Sequence, residues 1–522
     1  MAADLAPNAC SRCKGLKKKC DKGLPCCERC TRLGARCQYD SITQDLRPTQ
    51  SAADADGHRQ PHQLPTPPEM STRHVSPDFQ SMLSALQICD DDENLGRQIG
   101  SVIASTGADV GIVCSTYFNT LYEWFPVIPS RDIYDRIATL STGPSPEFAL
   151  LILCIHLITK IDRLSCDCQA MMHHYLTAKR FYSLVASSGR ISKELIQSGI
   201  LLALYEYGNA MADTAYVSVS GPGRMALLLG YDKTLSEEEC EEVVSDTEAE
   251  EQRCIWWCII VLERVMRMDH MERSLPFITA SPSPYSLLPS TRGAKIHLGV
   301  GLKLPGNPFQ DTTPRTRLKT FALVAQSIYF LDRVIVHINT TYEEVNRKSE
   351  ITAQLDEGIR AFTMTLLEGK HHDRTGHCWP HATCLSALLF LSRDALEVKD
   401  GSYKYEDSCR AILSLRSVIR ITLDGVRSGA YTTQTAVELV PIWGLHCLFL
   451  AATSHIEFGD KSNEEEWGRD LDCLHQTLSW FKAKWMIAGC YLDCSKMTTR
   501  IIRDIDSGYS HEDHAIHIGG LQ

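Results

Sequence analysis

Six cysteines near the N-terminus form two groups of three, and both groups have the same spacing. Each half has a pair separated by two residues and a third cysteine after six more, and the six candidate ligands are Cys10, Cys13, Cys20, Cys27, Cys30 and Cys37. Thiolates at such short, regular separations are the ligands that zinc prefers. A segment of 28 residues cannot bury enough apolar surface to fold alone, so we expect its folding to be coupled to zinc binding.

The number of thiolates predicts a cluster of two metal ions. Six thiolates cannot fill two separate tetrahedral sites, but they can if two sulfurs bridge the metals. The cofactor predicted for this module is therefore a pair of zinc ions that share six ligands. Cys26 stands beside Cys27 and could compete with it as a ligand. The spacing to Cys30 would then be three residues and the two halves would no longer match, so we favour Cys27 and keep Cys26 as the alternative.

Charge separates this segment from the rest of the chain. Between Cys10 and Cys37 nine basic residues stand against Asp21 and Glu28, a formal charge of +7. Because the whole chain carries −11, everything outside the segment carries −18. A compact cationic module on an acidic protein suggests that one end meets a polyanion and the remainder does not.

Composition favours a multi-domain protein of a reducing compartment. The 522 residues are 44% apolar, enough for a substantial core. Of the 22 cysteines, seven lie between Cys10 and Cys37, and the others, such as Cys254 and Cys258, fit small buried hydrophobes. Met1 to Asn8 has neither a basic start nor an apolar core, and we find no run of about 18 apolar residues. We therefore expect a soluble protein with no membrane partner.

The fold class predicted is mostly α. We expect a small zinc-stapled two-helix module at residues 9–40, a disordered, proline-dotted linker at residues 41–76 and a large all-α body at residues 77–522. Phe79, Met82, Leu83 and Leu86 predict a short helix before an acidic run, and a first helix of the body is favoured over a partner-binding segment.

Helical periodicity dominates from about residue 111 onward. The clearest helical segments are Phe148 to Ile161, Leu195 to Met211, Ile255 to Met268, Leu318 to Ile338 and Val437 to Ile456. Breaks are predicted at residues 141–146, at Gly221-Pro222-Gly223 and through the proline-rich stretch at residues 280–314. In the zinc module, a helix is expected immediately after each cysteine pair.

The N-terminal segment resembles the fungal binuclear zinc-cluster transcription factors of the galactose-regulator type. Besides the cysteine spacing, the resemblance is carried by Pro25 two residues before Cys27, by Asp21 after the third cysteine and by Arg32-Leu33-Gly34. It implies that Cys10 and Cys27 bridge both metals. It also implies a nuclear protein that regulates transcription at genes read by RNA polymerase II and that reads CGG triplets in double-stranded DNA.

The predicted DNA contacts follow the helix after Cys13. Lys14, Lys17 and Lys18 lie three or four residues apart, so one face of that helix can present ammonium groups to guanine O6 and N7. By resemblance, Lys17 holds the most characteristic base-contacting position. Lys19, Arg29 and Arg32 are predicted to hold phosphates. Two alternatives stay open for the basic cluster: a nuclear-localisation stretch, and a zinc module that contacts protein partners beside a ligand-binding or enzymatic body.

The body carries a second resemblance, to the fungal-specific transcription factor regulatory domain, with its core at about residues 111–280. The matching stretches are Tyr117-Phe118 with Trp124 to Ile128, Arg224 to Gly230, and Arg253 with Trp256-Trp257 and Glu263-Arg264. The resemblance implies an all-α domain that regulates activity, sometimes through a small effector. Transcription machinery or co-regulators and a second copy of the chain are the protein partners that it suggests.

Other constellations are better explained by packing. One cluster of possible metal ligands runs from a polar turn into an apolar helix. Its members are His371-His372, His377, Cys378, His381 and Cys384. Cys166 and Cys168 lack the two-residue separation of a chelating pair. No strand-linked G-x-G-x-x-G, P-loop, H-E-x-x-H or G-x-S-x-G occurs, so the sequence predicts no enzyme.

Overall fold

A computed structural model describes two compact units, Met1–Met82 and Leu83–Gln522, which we call the head and the body. The described residues are 9–10, 13–14, 18–22, 27–32, 37, 92–128, 130–141, 143–160, 168–237, 246–271, 273–289, 295–302, 320–342, 345–368, 378–397, 405–428 and 440–506. The predicted linker at residues 41–76 and the predicted helix at residues 79–86 lie outside this set.

The mostly α fold class is confirmed. The head has a short helix α1 (Glu28–Arg32). The body helices are α2 (Asp92–Ser105), α3 (Val110–Asn119), α4 (Ser130–Ile137), α5 (Pro146–Thr159), α6 (Cys168–Ser187), α7 (Lys193–Gly208), α8 (Ala212–Leu228), α9 (Asp246–Met268), α10 (Thr320–Ile338), α11 (Val345–Glu368), α12 (Cys378–Glu397), α13 (Tyr405–Arg427), α14 (Ile442–Phe458), α15 (Glu464–Phe481) and α16 (Met486–Asp506). Within the described ranges no β-strand forms, and Leu287 and His297 make one isolated bridge.

Helix α5 shows how local sequence and burial act together. The Ser145 hydroxyl caps the helix by accepting the Phe148 N–H, and Pro146 occupies the first turn, where its missing N–H costs nothing. Every residue of the helix except Glu147 is buried, because it packs between α2, α3 and α7. A helix that is apolar all round belongs to the centre of a large domain.

The predicted break at Gly221-Pro222-Gly223 is wrong, because α8 continues through all three residues. Pro222 and Gly223 are buried against α7 and α9. A Cβ on Gly199 of α7 would lie only 3.0 Å from Pro222 Cγ, and one on Gly223 would lie 3.3 Å from Ile278 Cγ2. Close packing of the ring over a glycine thus outweighs the local cost of a proline inside a helix.

Helix α10 is the segment of the described chain that bears on the prediction that there is no run of about 18 apolar residues. By length and composition, Thr320–Ile338 is long and apolar enough to cross a membrane, with a mean hydropathy of 1.5. Asp332, Arg333 and His337 interrupt its apolar residues. Since 78% of the window is buried inside the body, α10 is a core helix of this structure.

A buried charge network joins α10 to α9. Arg264 is fully buried, and its guanidinium donates to Asp332 at 2.9 Å and to Glu263 at 3.2 Å. The Phe277 ring lies 4.0 Å from the same guanidinium. Glu263 also accepts the backbone N–H of Ile278 at 2.8 Å. One arginine therefore holds two helices and the segment after α9 in place.

Candidate metal centre and nucleic-acid interface

The buried side chains of the head are thiols. Cys10, Cys13, Cys27 and Cys30 are at most 1% exposed. The sulfur of Cys10 lies 3.8 Å from those of Cys27 and Cys30, and the sulfur of Cys13 lies 3.9 Å from that of Cys27. These separations are almost twice the length of an S–S bond, and all six cysteines are free thiols.

The sulfurs form two groups of four, and each group fits within 4.8 Å. One group contains Cys13 and Cys20, the other contains Cys30 and Cys37, and both contain Cys10 and Cys27. The two tetrads therefore share the two cysteines that the resemblance implied as bridges.

The spacing of the thiols suits zinc. Four sulfurs arranged tetrahedrally around an ion at about 2.3 Å lie roughly 3.8 Å from one another. The three separations between the buried thiols are 3.8, 3.8 and 3.9 Å. The donor set is all sulfur, which is typical of closed structural zinc sites. The head can therefore hold two tetrahedral ions with two sulfurs in common.

Short backbone contacts hold the thiols in position. The Lys14 N–H donates to the Cys10 carbonyl and the Lys18 N–H to the Cys13 carbonyl, both at 3.0 Å, so the chain makes a helical turn at Cys13 and Lys14. In the second half, α1 begins at Glu28, between Cys27 and Cys30. The expectation that this helix starts after the cysteine pair is wrong, because placing both thiols on one side of the helix requires Cys30 to be part of it.

Asp21 caps a helix, a role that the sequence does not predict. Both of its carboxylate oxygens accept the Glu28 N–H, at 3.0 and 3.1 Å, so Asp21 caps the first turn of α1 from seven residues upstream. Lys22 follows in the left-handed region, with φ of 62°, which turns the chain after the first half. Sequence patterns predict a capping residue that directly precedes its helix. Asp21 lies seven residues before Glu28, so such a pattern does not find it.

The thiols do not ionise equally. Burial raises the pKa of Cys13 to about 12, whereas a hydrogen bond from the Cys10 backbone lowers the pKa of Cys20 to about 7. The Cys30 N–H favours the Cys27 thiolate, but burial and the neighbouring thiols outweigh it and leave the pKa of Cys27 above its ordinary value. Six thiolates cannot coexist here without cations, so zinc must displace protons as it binds.

Basic side chains surround this cluster. Lys14, Lys18, Lys19 and Arg32 are exposed and Arg29 is half-buried. Lys17, the predicted base-contacting residue, lies outside the described residues, as does Cys26. The described cations are therefore on the surface of a module whose interior is sulfur, and they are accessible to a polyanion.

The second resemblance falls on buried residues of the body. The Tyr117 hydroxyl donates to the Phe125 carbonyl at 3.3 Å. Trp256 and Trp257 are both buried, and the Trp257 indole donates to the Leu287 carbonyl at 2.9 Å. These contacts give the matching residues a packing role.

The histidines and cysteines near α12 were not expected to bind metal. His381 contacts the Thr363 carbonyl at 3.3 Å and Cys384 is buried, while residues 371–377 lie outside the described ranges.

The chain is similar to a known protein family and to two known proteins. Residues 8–46 match the family described as the fungal Zn(2)-Cys(6) binuclear cluster domain. The chain is 30% identical over 140 residues to "Transcription factor BOA15" of Botryotinia fuckeliana (strain B05.10), a match that covers 26% of this chain and 76% of that protein. It is 42% identical over 55 residues to "Regulator of drug sensitivity 1" of Saccharomyces cerevisiae (strain ATCC 204508 / S288c), covering 10% of this chain and 6% of that protein.

Two sulfur tetrads that share two cysteines, together with these matches, identify the protein as a zinc-cluster regulator of transcription. The chain belongs to the family of fungal transcription factors that carry a Zn(2)-Cys(6) binuclear cluster. The predicted recognition is thus confirmed, and so is the cofactor, a pair of zinc ions. The predicted likeness of the body to the fungal-specific regulatory domain stays a prediction.

Proposed function

We propose that this regulator reads CGG triplets through its head and controls genes transcribed by RNA polymerase II in the nucleus. Cys10, Cys13, Cys20, Cys27, Cys30 and Cys37 hold the two zinc ions, with Cys10 and Cys27 as bridges. The observation that carries the proposal is the pair of sulfur tetrads that share those two cysteines, on a module with a formal charge of +7. Bound zinc supplies positive charge and a fixed shape, and the chain supplies the contacts to DNA.

The basic residues divide into two roles. Lys14, Lys17 and Lys18 reach base edges in the major groove, with Lys17 as the main guanine contact. Lys19, Arg29 and Arg32 hold phosphates, which set the register of the head on the duplex without reading its sequence. Exposure of Lys18 and of Arg32 supports this division, because one follows the turn at Cys13 and the other ends α1.

The two roles can be separated by measuring affinity for two duplexes with the zinc-loaded full chain. One duplex contains CGG and the other has the same composition with the triplet scrambled. Lys17→Ala should lower the preference for CGG by about tenfold, the order expected for losing one guanine contact. Arg32→Ala should weaken binding to both duplexes alike and reduce the salt slope by about 1.

Lys233→Ala, at an exposed lysine of the body, is the matched control and should change neither quantity. If Lys17→Ala and Arg32→Ala behaved identically, the division of roles would be wrong. If the wild-type chain bound both duplexes equally while holding two zinc ions, the head would serve protein contacts instead.

The body is proposed to regulate the head and to contact transcription machinery or co-regulators, with residues 9–40, 41–76 and 77–522 as DNA-binding module, linker and regulatory body. Buried packing of Trp124 against Trp443, with ring centroids 5.2 Å apart, supports a scaffold role for the residues that resemble the regulatory domain. We propose no catalytic activity for it, since transcription factors of this family act by binding.

A further inference from the structure

A cavity of about 280 Å³ lies in the body among α13, α14 and α15, and we call it the α13–α15 cavity. Arg416 and Arg420 line it from one face of α13, because they are four residues apart on that helix. Its acidic lining residues are Asp460, Glu466 and Asp470. Groups of both signs therefore face one small space.

Two ion pairs in this cavity are too long for hydrogen bonds. Arg416 Nη1 lies 3.7 Å from an oxygen of Asp460, and Arg420 Nη1 lies 3.7 Å from an oxygen of Asp470. Hydrogen bonds from nitrogen to oxygen are about 2.7–3.2 Å long. The charges in each pair attract each other, but the N–H groups on Nη1 remain available to a bound anionic group.

Other contacts hold the two guanidinium groups in position. Arg416 Nε donates to the Phe458 carbonyl at 3.1 Å, and Arg420 Nη2 donates to Glu466 at 3.1 Å. Arg427 donates to Asp470 and so joins α13 to α15 independently of the two long pairs. A ligand that entered between the long pairs would therefore find arginines already positioned and would leave the two helices joined.

Asp460 supplies a negative charge at the same place. One of its oxygens accepts the Ser462 N–H at 3.0 Å, which lowers the pKa of Asp460. The other oxygen is the one near Arg416. A cationic group bound to Asp460 would thus lie a few ångströms from an anionic group bound to Arg416, which is how the two charges of a small zwitterion are spaced.

One wall of the cavity is apolar. Ile419, Leu423 and Trp467 line it and are at most 8% exposed. The Trp467 ring stacks on His455 with centroids 5.5 Å apart, and its indole N–H donates to the His455 carbonyl at 3.1 Å. Because the indole nitrogen is already satisfied, this wall favours an apolar group, and the volume limits that group to a small one.

We propose that the α13–α15 cavity binds a free α-amino acid with an apolar side chain. Arg416 and Arg420 hold its carboxylate, Asp460 holds its ammonium group, and the apolar wall contacts its side chain. A simple anion would be repelled by the carboxylates of the cavity and a simple cation by its arginines, whereas a zwitterion satisfies both signs. The inference goes beyond the proposed function, because this binding involves only the body and needs no DNA.

The test is isothermal titration calorimetry of the zinc-loaded full chain with L-valine, L-leucine and L-phenylalanine. At least one of them should bind with a dissociation constant below about 1 mM. Removing either charge from the ligand should weaken binding at least about tenfold. For L-leucine the two analogues are 4-methylpentanoate, which lacks the amine, and 3-methylbutylamine, which lacks the carboxylate. Absence of saturable binding by all three amino acids would overturn the inference.

Two variants locate the site. Arg416→Met should weaken binding of the amino acid at least about tenfold and remove its advantage over the amine analogue. Asp460→Asn should weaken it by a similar factor and remove its advantage over the carboxylate analogue. The Asp460 side chain is 63% exposed, so this variant is expected to fold, and loss of one charge preference with retention of the other is not what misfolding produces.

Arg469→Met is the matched control, because Arg469 on α15 is 67% exposed and lies outside the cavity. It should bind the amino acid like the wild type. Binding left unchanged by both Arg416→Met and Asp460→Asn would exclude this cavity as the site.

Binding to CGG duplexes, measured on the same samples, keeps the two proposals apart. A chain that prefers CGG but binds no amino acid would overturn only the inference about the cavity. A chain that binds an amino acid but has no preference for CGG would overturn only the proposed function.

Discussion

In the described part of the head the buried side chains are thiols, whereas in the body most of them are apolar, with leucine, isoleucine, phenylalanine and tryptophan prominent. Among the described residues, Cys10 and Cys27 are fully buried in a cluster with four other cysteines, while Trp257 and Phe330 lie in a continuous apolar core. Apolar burial can stabilise a domain of the body's size, but it cannot stabilise a module of 28 residues. Zinc–sulfur bonds replace the missing core in the head, so the two units should respond to different treatments.

The zinc-binding segment also differs in charge from the rest of the chain. The segment from Cys10 to Cys37 carries +7 and the remainder of the chain carries −18. Phosphates attract the first and repel the second. Direct contacts to DNA should therefore be made by the head and not by the body.

Removing zinc should give the largest difference between the units. A chelator should abolish DNA binding and the structure of the head, because the folding of so short a segment is coupled to metal binding. The helical circular dichroism of the body should be retained, and adding zinc back should restore binding. Cys10→Ser should lower the metal content below two ions, whereas Cys409→Ser, at an exposed cysteine of the body, should not. Loss of the body's helices on chelation would contradict the comparison.

Removing a buried charge should have the next largest effect, and only in the body. Arg264→Met leaves Asp332 and Glu263 buried without their cation, which should lower the free energy of unfolding by about 3–5 kcal/mol. Urea unfolding followed by circular dichroism measures this, and zinc content should not change. Arg469→Met is the control, because that side chain is 67% exposed. A loss below about 1 kcal/mol for Arg264→Met would mean that the network contributes little.

The sequence predicted the parts of this molecule that depend on local pattern. The helix predicted at residues 148–161 is Pro146–Thr159, and the one predicted at 318–338 is Thr320–Ile338. Cysteine spacing likewise identified which six thiols converge. These features repeat over a few residues, so a short window of sequence contains the whole signal.

Features that depend on distant residues were not predictable. Pro222 is tolerated inside α8 because Gly199 lies beneath it, and nothing near Pro222 in sequence indicates that glycine. Tyr491 donates to Asp269 at 2.7 Å from 222 residues away. The cap that Asp21 provides to α1 crosses from one half of the head to the other. In each case the contact is made by a residue that is distant in the sequence and close in the fold. The periodicity of a short segment cannot predict such a contact.

Mild acid should weaken the body through histidines that are buried neutral. Burial lowers the pKa of His156 to about 4, with Lys160 and His174 adding to the effect, and its Nε2 has no hydrogen-bond partner among the described residues. The unfolded chain then binds more protons between pH 4 and 6.5, so stability is complete above pH 6.5 and falls as the pH drops through that window.

His156→Leu tests this contribution. Between pH 7 and pH 5 the wild type should lose about 2 kcal/mol through this group, and the variant should be spared that loss. His173→Leu is the control, since His173 is exposed, and it should follow the wild type. Equal losses in the wild type and in His156→Leu would show that His156 is not the group responsible.

The smallest predicted effects come from removing a helix cap in each of the two units. Asn463 caps α15 by accepting the Glu466 N–H at 3.2 Å, and Asp21 caps α1 by accepting the Glu28 N–H at 3.0 Å. Losing such a cap typically costs about 1 kcal/mol. In Asn463→Ala that cost should appear as a lower free energy of unfolding, with zinc affinity unchanged.

In Asp21→Ala the same cost should appear as a loss of about fivefold in zinc affinity, because the head folds only when it binds zinc and any loss of folding free energy therefore weakens zinc binding. Competition with a chromophoric chelator measures the affinity, and urea unfolding of the body should be unaffected. Asp21→Ala could leave zinc affinity unchanged while Asn463→Ala destabilises the body as expected. The fold of the head would then not depend on its metal, and the two units would not differ in what stabilises them.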